Sequence, residues 1–267
     1  MLGSRGFIGS HLMTRLLAAS VELTMPRKGE DLSGQDLGYV YDCAGLTADF
    51  RQRPVETVEA HVTLLNTIVR SCRFDGLLYL SSTRVYADAD SAGEEISLVV
   101  NPGRPDDLYN ISKLLGEAVC LATGRAEVKV ARLSNVIGVG MPRDNFVASL
   151  VVDAVRDGKI TFRTAPESCK DYIAIDDVID LLLAIANRGT QAIYNVASGR
   201  NTTNREIAEL IKDRTACGVE FLPSGPKQVF PVIDTSRIQT EFGFSPRPLG
   251  PAIDAEIRSL LDREEVP

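Results

Sequence analysis

Tyr109 and Lys113 stand four residues apart in a segment of helical period, so both side chains fall on one helix face. An ammonium beside a phenol favours the phenolate and lowers the pKa of the tyrosine from about 10 toward neutrality. Such a pair can move a proton to or from an oxygen of a bound molecule. The alternative is a solvated helix face, since the pair alone is modest evidence.

Three hydroxyl residues, Ser81, Ser82 and Thr83, follow the run 76–80, which is apolar throughout. A run of this kind predicts a parallel strand buried on both faces. A hydroxyl at the end of that strand can hydrogen-bond a reacting oxygen, or it can simply satisfy a backbone group. A helix carrying Tyr109 just after this strand favours the first interpretation.

Three glycines near the N-terminus are spaced G-x-x-G-x-x-G and lead into a helical pattern. Such a turn needs residues without Cβ, and free N–H groups at a helix start attract a pyrophosphate. We predict a dinucleotide-binding loop rather than a purely structural turn. The predicted contacts are Gly3, Arg5, Gly6, Phe7, Ile8 and Gly9. Only Met1 and Leu2 precede the loop, so we expect the first strand of the sheet to be missing.

The elements that must position these groups alternate between strands and helices. Predicted in the first half are helix 7–19, strands 21–25 and 40–44, helix 55–72, strand 76–80, helix 109–122 and strand 128–133. In the second half they are helix 146–157, extended runs 160–162 and 172–175, a helix to about 186 capped by Asp176, strand 193–196 and helix 204–214. Strand–helix alternation predicts an α/β fold, a Rossmann-type doubly wound parallel sheet.

The second half is more mixed, so we expect a dinucleotide-binding domain over residues 1–140 and a smaller mixed α/β substrate lobe over 141–267. The boundary is soft and the two parts are interleaved. Asp176 and Asp177 are interpreted as a helix cap rather than a catalytic carboxylate pair. His11 and His61 are interpreted as packing or surface residues, and no metal site is predicted.

Composition narrows the class of protein. The chain has 267 residues, 44% of them apolar and 24% charged, and a net charge of −7. This balance argues against nucleic-acid and anionic-membrane partners. The chain has five cysteines and no C-x-x-C pair. No apolar run reaches the ~20 residues of a membrane span. We expect a protein of the reducing cytoplasm, without a signal peptide.

Taken in order, these motifs resemble an extended short-chain dehydrogenase/reductase of the NAD-dependent epimerase/dehydratase family. The similar segments are GFIGSHL at 6–12, DCAG at 42–45, LSSTRVY at 80–86, YNISK at 109–113, RLSNVIG at 132–138, KDYI at 170–173 with DDV at 176–178, and YNV at 194–196. The sequence departs from the family pattern at Ala87, where glycine is usual, and at Lys170, where arginine is commoner. The region between Leu32 and Tyr39 is also shortened.

The resemblance implies roles for individual residues. Ser82, three positions before Val85, matches the catalytic hydroxyl and joins Tyr109 and Lys113 as the implied catalytic set. Thr83 and Asn135 are implied to contact the substrate. The implied cofactor contacts beyond the glycine loop are Asp31 and Leu32 at the adenine, and Cys43, Ala44, Gly45, Tyr109 and Lys113 at the ribose and nicotinamide.

The cofactor preference is predicted from the end of the second predicted strand. NAD-binding proteins place an Asp or Glu there, but this chain has Arg27 and Lys28. Two cations could pair with a 2′-phosphate, which favours NADP over NAD. Two solvated loop cations are the alternative.

The leading functional hypothesis is an NAD(P)-dependent epimerase or 4-keto reductase that acts on a nucleotide-linked sugar. Thr83 and Arg84 stand where sugar 4,6-dehydratases carry an Asp-Glu pair, so dehydration lacks its carboxylates. The alternatives are a non-catalytic dinucleotide-binding sensor or scaffold, and a reductase of a non-sugar carbonyl. The resemblance also implies a homodimer through helices 55–72 and 109–122, and the apolar residues around the first of them favour it.

Overall fold

A four-stranded parallel sheet forms the centre of the computed structural model, which describes residues 1–47 and 49–264. Its strands are β1 (Tyr39–Asp42), β2 (Gly76–Ser82), β3 (Val128–Leu133) and β7 (Ile193–Val196), in that spatial order. Tyr39 pairs with Gly76, Leu77 with Val128, and Val130 with Ile193. All four strands run the same way, so their carboxyl ends meet at one edge. The predicted parallel α/β sheet is confirmed.

Helices cover both faces of this sheet. The helices that pack near it are α1 (Phe7–Ala18), α2 (Pro54–Val58), a π-helical turn (Glu59–Thr63), α3 (Leu64–Ser71), α4 (Asp107–Ala122), α6 (Ile175–Arg188) and α8 (Ser236–Phe242). One face packs Leu12, Leu16 and Leu182 against Leu78 and Ala131. The other face buries Leu65, Ile68, Leu77, Tyr79 and Val130. Alternate residues of β2 therefore enter two separate cores, which explains why its sequence is continuously apolar.

Met1 and Leu2 lie beside β1. Leu2 forms a parallel bridge with Asp42, and its N–H donates to the Tyr41 carbonyl at 3.0 Å. The predicted strand 21–25 is wrong, because the structure has no ladder there. The Met1 amino group donates to the Thr24 carbonyl at 2.6 Å, so this segment runs beside Met1 without pairing as a strand.

The second half of the chain builds a separate core. Its remaining elements are β4 (Asn135–Ile137), α5 (Phe146–Asp157), β5 (Lys159–Phe162), β6 (Cys169–Ala174), β8 (Asn201–Thr203), α7 (Asn204–Thr215), β9 (Gly218–Phe221) and α9 (Gly250–Glu264). Strands β4, β6 and β8 form one small sheet, and β5 pairs with β9. Between these elements lie Val151, Phe162, Ile207 and Ile253, all fully buried. Because α6 and β7 return to the first sheet, the two halves interleave, and a boundary near residue 140 stays a prediction.

Helix α6 begins differently from the prediction. Its N-cap is Ala174, and no side chain caps it. Asp176 lies within the first turn, so its predicted role as the cap is wrong. Asp177 is buried and forms an ion pair with Arg247 from the loop before α9. A short 3₁₀ helix (Thr83–Tyr86) directly after β2 was not predicted. Among the described residues, no helix is long and apolar enough to cross a membrane.

Candidate active site

Ser82 and Tyr109 meet at the carboxyl edge of the central sheet. Ser82 is the last residue of β2, and Tyr109 lies in the first turn of α4, so the Ser82 hydroxyl is close enough to the phenol to lower its pKa. This approach depends on Gly116, because a Cβ there would lie 2.4 Å from the Tyr79 hydroxyl and 2.9 Å from the His61 carbonyl oxygen. A larger residue would push α4 away from β2. The structure therefore brings two of the three predicted catalytic residues close together.

The phenol of Tyr109 is buried, with 6% of the residue exposed. Burial raises the pKa of Tyr109, because it penalises the phenolate, while the Ser82 hydrogen bond and the positive charge of Arg84 oppose that shift. The prediction that Lys113 lowers the pKa of Tyr109 is therefore wrong, because that pKa is raised. Arg84 is the cation that acts on the phenol, with its guanidinium carbon 5.4 Å from the ring centroid.

Lys113 lies one turn further along α4 and points under the loop after β1. Its Nζ donates to the Leu80 carbonyl at 2.8 Å, and a Cβ on Gly45 would lie 3.5 Å from it. Burial lowers the pKa of Lys113 to about 8, while Asp42, Glu117 and Cys43 act to raise it. Lys113 is thus held beside the predicted cofactor-ribose loop, where Gly45 has no side chain to crowd the ammonium group.

Asp42 is the buried counter-charge of Lys113. It is fully buried, and burial raises its pKa to about 6, while Lys113 and the Ala44 N–H act to lower it. Its Oδ1 accepts from that N–H at 3.1 Å. Its Oδ2 has no hydrogen-bond partner among the described residues. The end of β1 thus places an unsatisfied carboxylate oxygen beneath the loop 43–45, as expected where a polar ligand completes the site.

His61 is part of the site, which sequence reasoning did not predict. It is fully buried on the π-helical turn, and its Nε2 accepts from the Leu46 N–H at 3.2 Å. Its Nδ1 therefore carries the proton and donates to the Ser112 hydroxyl at 2.8 Å, which in turn donates to the Tyr109 carbonyl at 2.9 Å. Burial, and secondarily Lys113, lowers the pKa of His61 to about 3. His61 is a buried packing residue, as predicted, and it also links the loop after β1 to α4 through its two ring nitrogens.

The glycine loop lies between Leu2 and α1 and is closely packed. Gly3 has a φ of +66°, and a Cβ there would lie 2.5 Å from the Cys43 carbonyl oxygen. A Cβ on Gly9 would lie 2.1 Å from the Gly3 carbonyl oxygen. Gly6 caps α1 without any side-chain hydrogen bond. An uncapped helix start beside a loop of residues without side chains fits a dinucleotide pyrophosphate.

The other predicted loop residues differ in exposure. Arg5 is exposed beside the helix start, where its charge faces solvent. Phe7 and Ile8 are half-buried and pack against the core under α1. Ala44, like Cys43 and Gly45, lies in the loop after β1 that packs against Gly3. The predicted phosphate and ribose residues thus come together in the structure.

The predicted adenosine contacts are more scattered. Arg27 and Lys28 are exposed, and the Arg27 backbone N–H donates to the Glu30 carboxylate at 2.9 Å. Asp31 is also exposed and accepts from the Ser33 N–H at 2.9 Å. The Leu32 side chain is 2% exposed within the core beneath α3, so only its backbone could face an adenine.

The predicted substrate contacts lie on the side of the second core. Thr83 is buried, and its hydroxyl donates to the Leu133 carbonyl at 3.3 Å. Asn135 begins β4, where its amide donates to the Asp171 carbonyl at 2.8 Å. Lys170 is half-buried, with its Nζ 5.4 Å from the centre of the Phe230 ring. The Thr83 hydroxyl is thus already engaged, whereas Lys170 offers a positive charge.

Comparison with known proteins identifies the family. The profile of the NAD dependent epimerase/dehydratase family matches residues 1–197. The chain belongs to this family, as the order of its motifs predicted.

Two curated relatives cover most of the chain. GDP-6-deoxy-D-mannose reductase of Pseudomonas aeruginosa is 32% identical over 82% of this chain and 81% of its own length. dTDP-6-deoxy-L-talose 4-dehydrogenase (NAD(P)(+)) of Kitasatospora kifunensis is 26% identical over 92% of this chain and 90% of its own.

Solved structures confirm the fold. UDP-glucuronic acid 4-epimerase from Bacillus cereus in complex with NAD superposes with a TM-score of 0.81 at 21% identity, covering 99% of this chain and 96% of that one. RMD from Pseudomonas aeruginosa complexed with NADPH gives a TM-score of 0.77 at 24% identity, covering 98% and 99%. The Rossmann-type fold is confirmed, and dependence on NAD(P) is a property of the family.

Proposed function

We propose that this protein is an NAD(P)-dependent oxidoreductase that interconverts a carbonyl and a hydroxyl at C4 of a nucleotide-linked 6-deoxyhexose. The observation that carries the proposal is the approach of Ser82, at the end of β2, to the Tyr109 phenol, one helical turn from Lys113 beside the loop 43–45. The names of both curated relatives, a 6-deoxymannose reductase and a 6-deoxytalose 4-dehydrogenase, support the choice of sugar and position.

The reaction follows from the positions of these groups. A nicotinamide cofactor held at the glycine loop and by Lys113 would supply the hydride for C4, or accept it in the reverse direction. Tyr109 gives its phenolic proton to the C4 oxygen, and Ser82 hydrogen-bonds that same oxygen. Lys113 would hold the cofactor ribose, and Arg84 keeps a positive charge near the phenol. The phenolate then recovers a proton from water, which completes the reduction.

The electrostatics of the substrate side suit a nucleoside diphosphate. Lys170 and Arg84 are half-buried cations on this side, and after burial it is the charge of Arg84 that lowers the pKa of Lys170. Among the described residues, neither side chain forms an ion pair within 4 Å. Two neighbouring cations without a carboxylate partner favour an anionic substrate.

Dehydration is not proposed, because the residues after Ser82 cannot perform it. Thr83 donates its hydroxyl to Leu133, and Arg84 places a guanidinium over Tyr109. Elimination needs an acid and a base on neighbouring carbons of the sugar. Neither of these side chains is a carboxylate.

Cofactor and sugar can be tested together. Purified protein is first screened by thermal shift against nucleotide sugars with NADPH or NADH present, then incubated with a 4-keto-6-deoxy nucleotide sugar. The proposal predicts one NAD(P)H oxidised for each sugar reduced. An epimerase would instead invert C4 without net oxidation of cofactor. A non-catalytic binder would show a thermal shift and no turnover, and a reductase of non-sugar carbonyls would also accept ketones without a nucleotide.

A further inference from the structure

Arg84 lies over the aromatic ring of the candidate catalytic tyrosine. It is the second residue of the 3₁₀ helix that follows Ser82, so the end of β2 delivers both groups to the same place. Its guanidinium carbon is 5.4 Å from the centre of the Tyr109 ring and 5.0 Å from that of Phe50. Contacts at these distances are attractive cation–π interactions. Arg84 is half-buried, which limits screening of its charge by water.

Arg84 is the cation over the Tyr109 ring, because the other groups around that ring are neutral or turned away from it. They are Ser82 and Tyr79 from β2, Phe50 from the loop before α2, His61 from the π-helical turn and Lys113 from α4 itself. His61 presents its ring edge at 5.4 Å and is neutral, since its pKa is lowered to about 3. Burial raises the pKa of Tyr79, which also stays neutral. The Lys113 ammonium is turned to the Leu80 carbonyl at 2.8 Å.

Asp106, a carboxylate whose pKa is lowered by Arg51 and also by Arg84, is engaged elsewhere. Asp106, just before α4, interacts electrostatically with Arg84, but its hydrogen-bonded ion pair is with Arg51. Arg51 stacks on Phe50 at 4.7 Å from the ring centre. Two arginines from different elements thus contact the Phe50 ring, and of these Arg51 is paired with a carboxylate while Arg84 faces the phenol.

We propose that Arg84 is the electrostatic partner of Tyr109, with its guanidinium stabilising the phenolate that forms when the phenol gives its proton to the substrate oxygen. The catalytic meaning of this pairing rests on the proposed function. The pairing itself does not, because the ionisation of Tyr109 can be measured without turnover. Arg84 acts through Tyr109 and is a positioning residue for charge rather than a proton carrier.

The direct test is a pH titration of the tyrosines by NMR, with the phenolic carbon labelled with ¹³C and Tyr109→Phe used to assign the Tyr109 signal. Arg84→Met should raise the pKa of Tyr109 by about one unit, the lower end expected for loss of a neighbouring opposite charge. Arg84→Lys retains the charge and should restore most of the shift. Arg51→Met is the matched control, since it removes a cation from Phe50 but not from Tyr109, and should leave the titration unchanged.

The outcomes separate this inference from the proposed function. An unchanged Tyr109 titration in Arg84→Met, or an equal shift in Arg51→Met, would overturn the role of Arg84 whatever the protein catalyses. Arg84→Gln serves if the methionine variant does not fold. Where turnover is found, the pH profile of kcat in Arg84→Met should move in the same direction as the titration. If turnover is absent but the titration shifts, the proposed function fails and the pairing stands.

Discussion

At the scale of single residues, the site is governed by burial as much as by charge. Tyr109, Lys113 and Asp42 all have pKa values displaced toward the neutral form, because each lies out of water. The Tyr109 phenol is therefore held further from ionisation and the Lys113 ammonium, with a pKa of about 8, closer to losing its proton, and neighbouring groups oppose both effects. Arg84 and Ser82 act on Tyr109 in this way, and the Asp42 carboxylate acts on Lys113.

His61 should make stability depend on pH. Burial lowers the pKa of folded His61 to about 3 from its ordinary value of 6.5, so between these limits the unfolded chain binds one more proton. The contribution is fully present above pH 6.5, and the free energy of unfolding falls by about 1.4 kcal/mol per pH unit as the pH drops toward 3. Urea unfolding between pH 7 and 4 should therefore show a shallower decline in His61→Gln than in the parent. Parallel declines would contradict a buried neutral histidine.

Arg27 should set the cofactor preference toward NADP. Arg27 is exposed, and a well-formed pairing with a 2′-phosphate is worth about 1.5–3 kcal/mol. Arg27→Ala should lower the ratio of NADPH to NADH affinity by about tenfold, measured by calorimetric titration. Lys28→Ala tests whether the neighbouring cation shares the role. An unchanged ratio in both variants would leave the two residues as solvated loop cations.

At the scale of elements, the glycine loop and α1 must approach within backbone contact. A Cβ on Gly9 would meet the Gly3 carbonyl oxygen at 2.1 Å, so Gly9→Ala must shift the loop. We expect cofactor affinity to fall by about tenfold or more with the rest of the fold retained. Ser10→Ala, which loses only the hydroxyl bond to the Phe7 carbonyl at 3.0 Å, is the control in the same turn. Equal affinities in parent and Gly9→Ala would argue against this loop as the phosphate site.

The elements that were predicted correctly from the sequence are those whose own residue pattern is sufficient to define them. The runs 76–80 and 128–133 are buried on both faces, and the helices at 109–122 and 146–157 carry continuous apolar faces, so their period was readable. Elements held by tertiary partners were missed: β8 pairs with β6 through only three residues, and α8 buries Ile238 alone. Segment 21–25 failed for the opposite reason, since its pattern favours a strand but it has no strand partner within the described part of the chain.

The residues of the candidate site were likewise only partly predictable from local sequence patterns. Tyr109 and Lys113 were predicted from their spacing and from their place after a buried strand, and Ser82 was predicted from the family resemblance. His61 and Asp42 were not found as site residues, because their roles depend on contacts with Ser112 and Lys113 that no local pattern reveals. The cation on Tyr109 was likewise assigned to Lys113 from helix spacing alone. In the structure a residue on a different element, Arg84, occupies that position.

At the scale of the whole molecule, two helices leave apolar side chains uncovered. Val55 is 65% exposed at the start of α2, and Leu115 is 49% exposed on α4, which packs beside the π-helical turn. We propose that these surfaces meet their copies in a homodimer. Light scattering at micromolar concentration should give about twice 29.0 kDa for the parent and about 29.0 kDa for the Val55→Glu, Leu115→Glu double variant. Val229→Glu, at a residue 59% exposed elsewhere, should stay dimeric, and a monomeric parent would contradict the proposal.

The central claim is that Tyr109 carries the proton while cofactor binding and folding depend on other groups. Its most direct test is single-turnover hydride transfer, followed at the nicotinamide absorbance, in the parent and Tyr109→Phe with saturating cofactor and a 4-keto-6-deoxy nucleotide sugar. We predict a loss of about 10²–10⁴-fold in Tyr109→Phe with cofactor affinity retained. Ser82→Ala should lose less, since the proton carrier remains, and Lys113→Met should lose both rate and cofactor affinity. A Tyr109→Phe protein that transfers hydride at a rate close to the parent would contradict the account.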